Sequence, residues 1–382
     1  MRKFGVVALG AAALLALGAC AGGGAGSGDD ATTGESQAAE DVTVGVSMPT
    51  QTSERWIADG DAVQSGLEEL GYQVDLQFAN DDIPTQSQQI DQMITNGADV
   101  LIIAAIDGTA LGSQLDAAAA ADIPVIAYDR LIRDSENVNF YVTFDNYNVG
   151  VQQATSLLQG LGVLDADGAE TGEEGPFNIE LFAGSPDDNN ATFFWNGAMD
   201  TLKPFMDSGV LTVPSGQTDF EQAAILRWQQ ETAQKRMEDL LTSTYSDDTA
   251  LDGVLSPYDG LSRGIITALQ GDGMGPAIAD GLPVVTGQDA EIASVKLIVD
   301  GVQFATIFKD TRLLAEQAVT ATEAYLSGSE PEANDTETYD NGVKVVPSYL
   351  LESEIVVADN VQSALIDTEY WTQEEVDAGQ AD

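Results

Sequence analysis

From residue 42 onward, short runs of β-branched and other apolar residues alternate with amphipathic stretches of helical spacing. That alternation confines the chain to the α/β class. Strands covered on both faces read as nearly continuous apolar runs, and parallel sheets are of this kind. Strands are expected at residues 42–48, 73–79, 100–104 and 124–129, with helices at 53–70, 85–96 and 110–121 between them. Four βα units of this type make a doubly wound domain. A second series follows, with strands at 177–182, 253–256, 284–287 and 303–308. Its helices are expected at 149–161, 190–206, 221–241, 261–271 and 290–299. A further helix at 315–326, acidic turns at 327–341 and a last strand at 343–346 complete the pattern. Residues 165–175 and 271–280 read as surface insertions. Within the first, Asp165-Ala166-Asp167-Gly168 starts like a calcium loop, but its glycine comes too early, so no metal is expected.

Ahead of this body, Arg2 and Lys3 precede an apolar stretch that ends in Leu17-Gly18-Ala19-Cys20, and Cys20 is the only cysteine. A charged start, an apolar middle and small residues before the cut describe a secretory signal, here residues 1–19, too short to span a bilayer. A cysteine at that point is where a bacterial lipoprotein is cleaved and acylated. Two or more acyl chains would anchor the chain stably to the outer face of a membrane. Residues 20–40, the lipidated cysteine and a Gly-, Ser-, Ala-, Thr- and acid-rich linker, cannot bury enough apolar surface to fold.

The formal charge is −49, and once Arg2 and Lys3 leave it is −51, with 12 basic residues facing 63 acidic ones. Such a field opposes nucleic acid, anionic ligands and anionic lipid, and reads as a solvated surface adapted to salt or pH. There is no histidine, which removes Ser-His-Asp and Cys-His catalysis and the commonest zinc ligand. No cofactor is expected.

In open α/β sheets, ligands sit beyond the carboxyl ends of the strands. The residues found there are Arg55 and Trp56 after the first strand, Asp129 and Arg130 after the fourth, and Asp187 to Asn190 after the strand at 177–182. Tyr258 and Asp259, then Gln288 and Asp289, then Lys309 follow the later strands. A sugar hydroxyl both donates and accepts, so its site offers carboxylates to accept, Arg, Lys and Asn to donate, and an aromatic face for the C–H side of the ring. Singly, each has a plainer role: an Asp at a strand end is often a helix cap. Together they repeat one chemistry at six strand ends.

These stretches carry a family resemblance. Ser53-Glu54-Arg55-Trp56, Ala127-Tyr128-Asp129-Arg130, Asp188-Asn189-Asn190, Ser256-Pro257-Tyr258-Asp259-Gly260, Gly287-Gln288-Asp289-Ala290 and Ile307-Phe308-Lys309-Asp310-Thr311 resemble the xylose-type and multiple-sugar-binding proteins of bacterial ABC importers. Tyr339-Asp340-Asn341-Gly342-Val343-Lys344-Val345-Val346-Pro347-Ser348-Tyr349 extends the match, which runs from about residue 42 to 349. The resemblance implies a type I periplasmic-binding-protein fold, with a monosaccharide clamped between two doubly wound lobes. It also implies three crossings, near residues 145–148, 309 and 345–348. The first lobe would then hold 41–146 and 310–346, the second 147–309 and 347–382. On that pattern Asp129 and Arg130, with Arg55 and Trp56 beside them, hold the sugar from the first lobe. Asn189, Asp259, Asp289 and Lys309 are the polar partners from the second lobe or hinge. Trp228 supplies the stacking face, with Arg227 as its possible substitute.

The function so implied is a monomeric, lipid-anchored receptor that hands a xylose-, glucose-, galactose- or arabinose-type sugar to a permease by hinge closure, without turnover. Other readings are a sensor that passes the sugar to a signalling receptor, a receptor for a furanose signal, and a glycosidase using Asp129, Asp259 or Asp289.

Overall fold

The computed structural model describes residues 38–246 and 249–381. The expected signal, Cys20 and all but the end of the expected linker lie outside the described residues. The linker's end is ordered: Ala39–Asp41 forms a 3-10 turn leading into the first strand.

Strands β1 (Thr43–Met48), β2 (Gln73–Phe78), β3 (Val100–Ile103), β4 (Val125–Tyr128) and β5 (Phe140–Phe144) alternate with helices α1 (Glu54–Glu69), α2 (Ile83–Thr95) and α3 (Gly112–Ala120). They pair in parallel in the order β2-β1-β3-β4-β5. The period of two along β3 divides the core. Val100 and Ile102 pack with Val63 and Leu67 of α1, while Leu101 and Ile103 pack with Ile90 of α2 and Leu115 of α3. Covered on both faces, β3 and β4 are wholly buried, which is why they read as continuous apolar runs. The sequence reading missed β5, whose run Phe-Tyr-Val-Thr-Phe follows an irregular segment instead of a helix.

The chain then crosses to a second sheet through α4 (Asn146–Gly160), β6 (Phe177–Leu181), α5 (Asn189–Ser208), β7 (Leu211–Thr212), α6 (Phe220–Ala223), α7 (Gln230–Thr244), β8 (Gly253–Leu255), α8 (Asp259–Gly271), β9 (Val284–Val285), α9 (Ile292–Val299) and β10 (Ala305–Phe308). Its parallel order is β7-β6-β8-β9, and a Gln288–Ile307 bridge brings β10 alongside. Helix α10 (Thr311–Leu326) returns to pack on α1. Strands β11 (Ser348–Leu351) and β12 (Glu354–Val357) and helix α11 (Gln373–Ala378) end the chain.

Three expectations need correction. The helix at 221–241 is broken, because Ala224 bridges to Ala183 at the end of β6 and Ile225 donates its N–H to the Ala183 carbonyl at 3.1 Å. Arg227 and Trp228 then take left-handed backbone, with φ of 60° and 54°. The strand at 343–346 is a turn with Val343 and Val345 exposed, and the strand begins only after Pro347, as β11. Because β11 pairs in parallel with β5, it belongs to the first lobe, and the third crossing lies between Leu351 and Glu354 instead of at 345–348. The chain also passes between the sheets after β5 and after β10. Asp145 and Asp310 cap the helices that start there, accepting from the N–H groups of Asn148 and Arg312 at 3.0 Å each.

Candidate functional site

The carboxyl ends of both sheets face one cavity, enclosing about 560 Å³ of empty space that includes open solvent. Seven of the nine residues singled out from sequence line it: Arg55, Trp56, Asp129, Arg130, Trp228, Asp289 and Lys309. Asp129 is the meeting point. Its Oδ1 lies 3.3 Å from the Arg55 guanidinium and 3.9 Å from Lys309 Nζ. Burial pushes the Asp129 carboxyl up, but Arg55, Lys309 and Arg130 outweigh it and hold the group below the usual carboxylate range. Lys309, 2% exposed, sits 3.0 Å from Asp289 Oδ1, and Arg55 reaches the same oxygen at 3.6 Å.

Arg55 is set from behind. Asp59, one turn along α1, accepts from Arg55 Nε at 2.9 Å and from the Tyr128 hydroxyl at 2.6 Å. Full burial raises the Asp59 carboxyl to about 6 against the opposing pull of Arg55. The Arg55 and Arg130 guanidinium carbons lie 4.4 and 5.0 Å from the Trp56 ring centroid, within cation–π range of this indole.

The backbone is shaped to present these groups. Asp129 and Asp289 both take left-handed φ, 58° and 90°, a conformation Asp tolerates better than most residues. The Asp129 carbonyl is fixed by three donors: Asn190 Nδ2 at 2.6 Å, Tyr141 OH at 2.6 Å and Thr143 Oγ1 at 3.0 Å. Opposite, Asp188 caps α5 through Asn190 N–H while its second oxygen receives Trp228 Nε1 at 3.2 Å and pairs with Arg130 Nε at 3.1 Å. The plain role of a strand-end aspartate and its role in the site coincide here.

Two expected residues sit elsewhere. Asn189 does not line the cavity; the neighbouring Asn190, 1% exposed, does. Asp259 lies behind the wall, accepting from Gln303 Nε2, Thr306 Oγ1 and the Glu291 N–H at 2.8 to 3.0 Å. It braces the segment that carries Asp289. Burial, reinforced by Glu291, pushes its carboxyl well up. The sequence reading also missed Asp81 and Phe194, which line the cavity. Asp81 was findable by the same rule, since it follows β2 with φ of 59°. Phe194 had no such signal, being one of many apolar residues along α5. Arg227, named as the substitute for Trp228, lines the cavity beside it, pairs with Asp187 and donates to the Asp81 carbonyl at 3.0 Å.

Four cationic side chains (Arg55, Arg130, Arg227 and Lys309) and four carboxylates (Asp81, Asp129, Asp188 and Asp289) therefore line a cavity between two lobes of a chain whose formal charge is −49.

The periplasmic binding protein domain matches residues 44 to 330. The chain belongs to this family. Among relatives of this periplasmic binding protein, the multiple sugar-binding periplasmic receptor ChvE of Rhizobium radiobacter is 53% identical over 89% of this chain and 93% of its own length. The D-xylose-binding periplasmic protein of Escherichia coli K12 is 36% identical over 86% of this chain and 90% of its own. An ABC transporter solute-binding protein from Clostridium phytofermentans, solved with bound β-D-glucose, shares 46% identity at a TM-score of 0.81, covering 87% of this chain and 99% of that one. The two doubly wound lobes thus form the type I periplasmic-binding-protein fold expected from sequence. The family places the protein outside the cytoplasm.

Proposed function

We propose that this protein is the monomeric sugar-binding subunit of an ABC importer, clamping a neutral aldose between its lobes and presenting the closed form to a permease. The observation that carries this reading is the balanced cavity. Equal numbers of cations and carboxylates leave no net charge for an ionic ligand to answer, yet supply donors and acceptors for a ring of hydroxyls. Trp56, Phe194 and Trp228 give apolar faces for the ring's C–H surface. The names of the relatives, and the glucose bound in the Clostridium protein, point the same way. Arg55, Trp56, Asp129, Arg130, Trp228, Asp289 and Lys309 are the proposed ligand contacts, with Asn190 in the place expected of Asn189 and Asp259 acting from behind. Sugar bridging both lobes favours closure by its differential contacts with the closed form. Hydrolysis is a poorer reading: Asp259 does not reach the cavity, and Asp129 is held ionised and cannot serve as a general acid.

A thermal-shift panel of D-xylose, D-glucose, D-galactose, L-arabinose and D-ribose tests this. Ligand at a hundred times its Kd stabilises the native state by about 2.7 kcal/mol, a rise of several degrees. A flat response to every sugar would overturn the proposal.

We also propose that Cys20 is acylated after removal of residues 1–19, so that residues 20–40 tether the receptor near its permease. Cells fed a labelled fatty acid are expected to label the wild-type protein and not Cys20→Ser, and the variant should leave the membrane fraction. Equal labelling of both would exclude the anchor.

A further inference from the structure

Asp289 and Ala290 are consecutive non-glycine residues in left-handed backbone, with φ of 90° and 49°. An aspartate tolerates this conformation, whereas an alanine has no side chain that favours it and stays there only where its surroundings hold it. Ala290 is wholly buried, and both of its backbone polar groups are held. Its N–H donates to Thr306 Oγ1 at 3.1 Å, and its carbonyl accepts from Trp371 Nε1 at 2.8 Å. That indole comes from the C-terminal segment, 81 residues further along the chain, and it does not line the cavity.

The preceding residue ties the same segment to the other half of the buried charge pair. The Tyr370 ring lies 4.6 Å from that of Phe308 and 5.2 Å from that of Trp371, edge-on to both. Phe308 immediately precedes Lys309, as Ala290 immediately follows Asp289. Two adjacent aromatic side chains thus reach, from behind, one chain neighbour of each member of the 3.0 Å Asp289–Lys309 pair. They are themselves firmly seated. The N–H groups of Tyr370 and Trp371 both donate to the carbonyl of buried Leu365, at 2.9 and 3.1 Å. Leu365 and Val376 of α11 share a core with Ile292 and Val295 of α9. Arg312, in the first turn of α10, donates to the Thr368 carbonyl at 3.0 Å and stands 5.1 Å from the Tyr370 ring.

We propose that Trp371, seated by Tyr370, is a positioning residue that holds the Ala290 carbonyl and thereby fixes where the Asp289 carboxylate stands against Lys309 and the sugar. The proposal rests on the sugar-binding reading above, in which Asp289 is a ligand contact. A hydrogen bond to a sugar hydroxyl weakens steeply as its length and angle leave the favoured range, so a carboxylate whose backbone can relax binds less well.

The test pairs sugar affinity with backbone exchange. Trp371→Phe keeps an aromatic ring beside Tyr370 and removes the N–H donor. Measured by calorimetry with the tightest-binding sugar of the xylose, glucose, galactose, arabinose and ribose panel, it is expected to weaken binding roughly fivefold, the worth of one net hydrogen bond. In an Asp289→Ala background, with sugar raised to match the weaker affinity, the same substitution should cost less than about twofold, because the group it positions is gone. A role in packing alone would cost the same in both backgrounds. In the ligand-free protein, amide hydrogen exchange at residues 289–292 should quicken in Trp371→Phe, since the segment has lost one of its holds. Wild-type affinity in Trp371→Phe, an equal loss in the Asp289→Ala background, or unchanged exchange at residues 289–292 would each overturn the proposal. A wild-type chain that binds no sugar of the panel would overturn the sugar-binding reading instead, and the exchange measurement then still decides whether Trp371 holds this segment.

Discussion

Asp289→Ala is expected to abolish the sugar-dependent thermal shift, with affinity falling at least a hundredfold. Lys309 is 2% exposed, and its nearest carboxylate is Asp289 at 3.0 Å; without it, only Asp129 at 3.9 Å remains. Removing one partner of a buried pair leaves an uncompensated charge, at a cost of about 3–5 kcal/mol. Part of that cost appears as a lower melting temperature of the ligand-free protein. The rest appears in binding, because the Arg55 contact with Asp289 joins first-lobe α1 to second-lobe backbone. Asp289→Asn keeps an acceptor and a side chain suited to the φ of 90°, so its loss should be intermediate. Arg130→Ala acts in the same direction, since it strips Asp188 of its 3.1 Å partner and Trp56 of one flanking cation. Full affinity in both alanine variants, measured by calorimetry, would sink the site assignment.

Most of this site was legible because topology fixes where strand ends point. Once β1, β4 and β10 were read as parallel strands, the residues just beyond them, Arg55, Asp129 and Lys309, had to face the cleft. What stayed illegible is set at a finer scale. Asn189 and Asn190 are adjacent amides, and only the turn of α5 after its Asp188 cap decides that Asn190 reaches the Asp129 carbonyl. Asp259 looked like its neighbours because an aspartate that braces a wall and one that faces a ligand have the same sequence signature. The break before Trp228 was hidden for another reason. Residues 221–241 have helical composition, but a tertiary bridge from Ala224 to Ala183 overrides that preference. β11 was displaced for a local reason: the buried Tyr339 and Val346 close a turn, Val346 N–H donating to the Tyr339 carbonyl at 3.0 Å, before pairing with β5 begins.

That same break produces the second large effect, at a residue with no side chain. A Cβ placed on Gly184 would lie 2.0 Å from Trp228 Cη2 and 2.4 Å from Cζ2, far inside the 3.5–4.0 Å of favourable carbon contact. The indole has little room to retreat. Its Nε1 is bonded to Asp188, and Phe194 and Tyr258 stand edge-on to it at centroid distances of 6.4 and 6.0 Å. Moving the strand end instead would disturb Ser185, whose Oγ accepts the Arg227 N–H at 2.8 Å. Gly184→Ala is therefore expected to destabilise the protein by about 1–3 kcal/mol and to lower sugar affinity roughly as far as Trp228→Ala does. A double-mutant cycle separates the causes. If the clash with the indole is responsible, Gly184→Ala costs almost nothing more in a Trp228→Ala background, because the contact it violates is gone. If the two effects add, Gly184 is required by the strand end and not by the indole, and the assignment of Trp228 as the packed wall of the sugar cavity loses its main steric support.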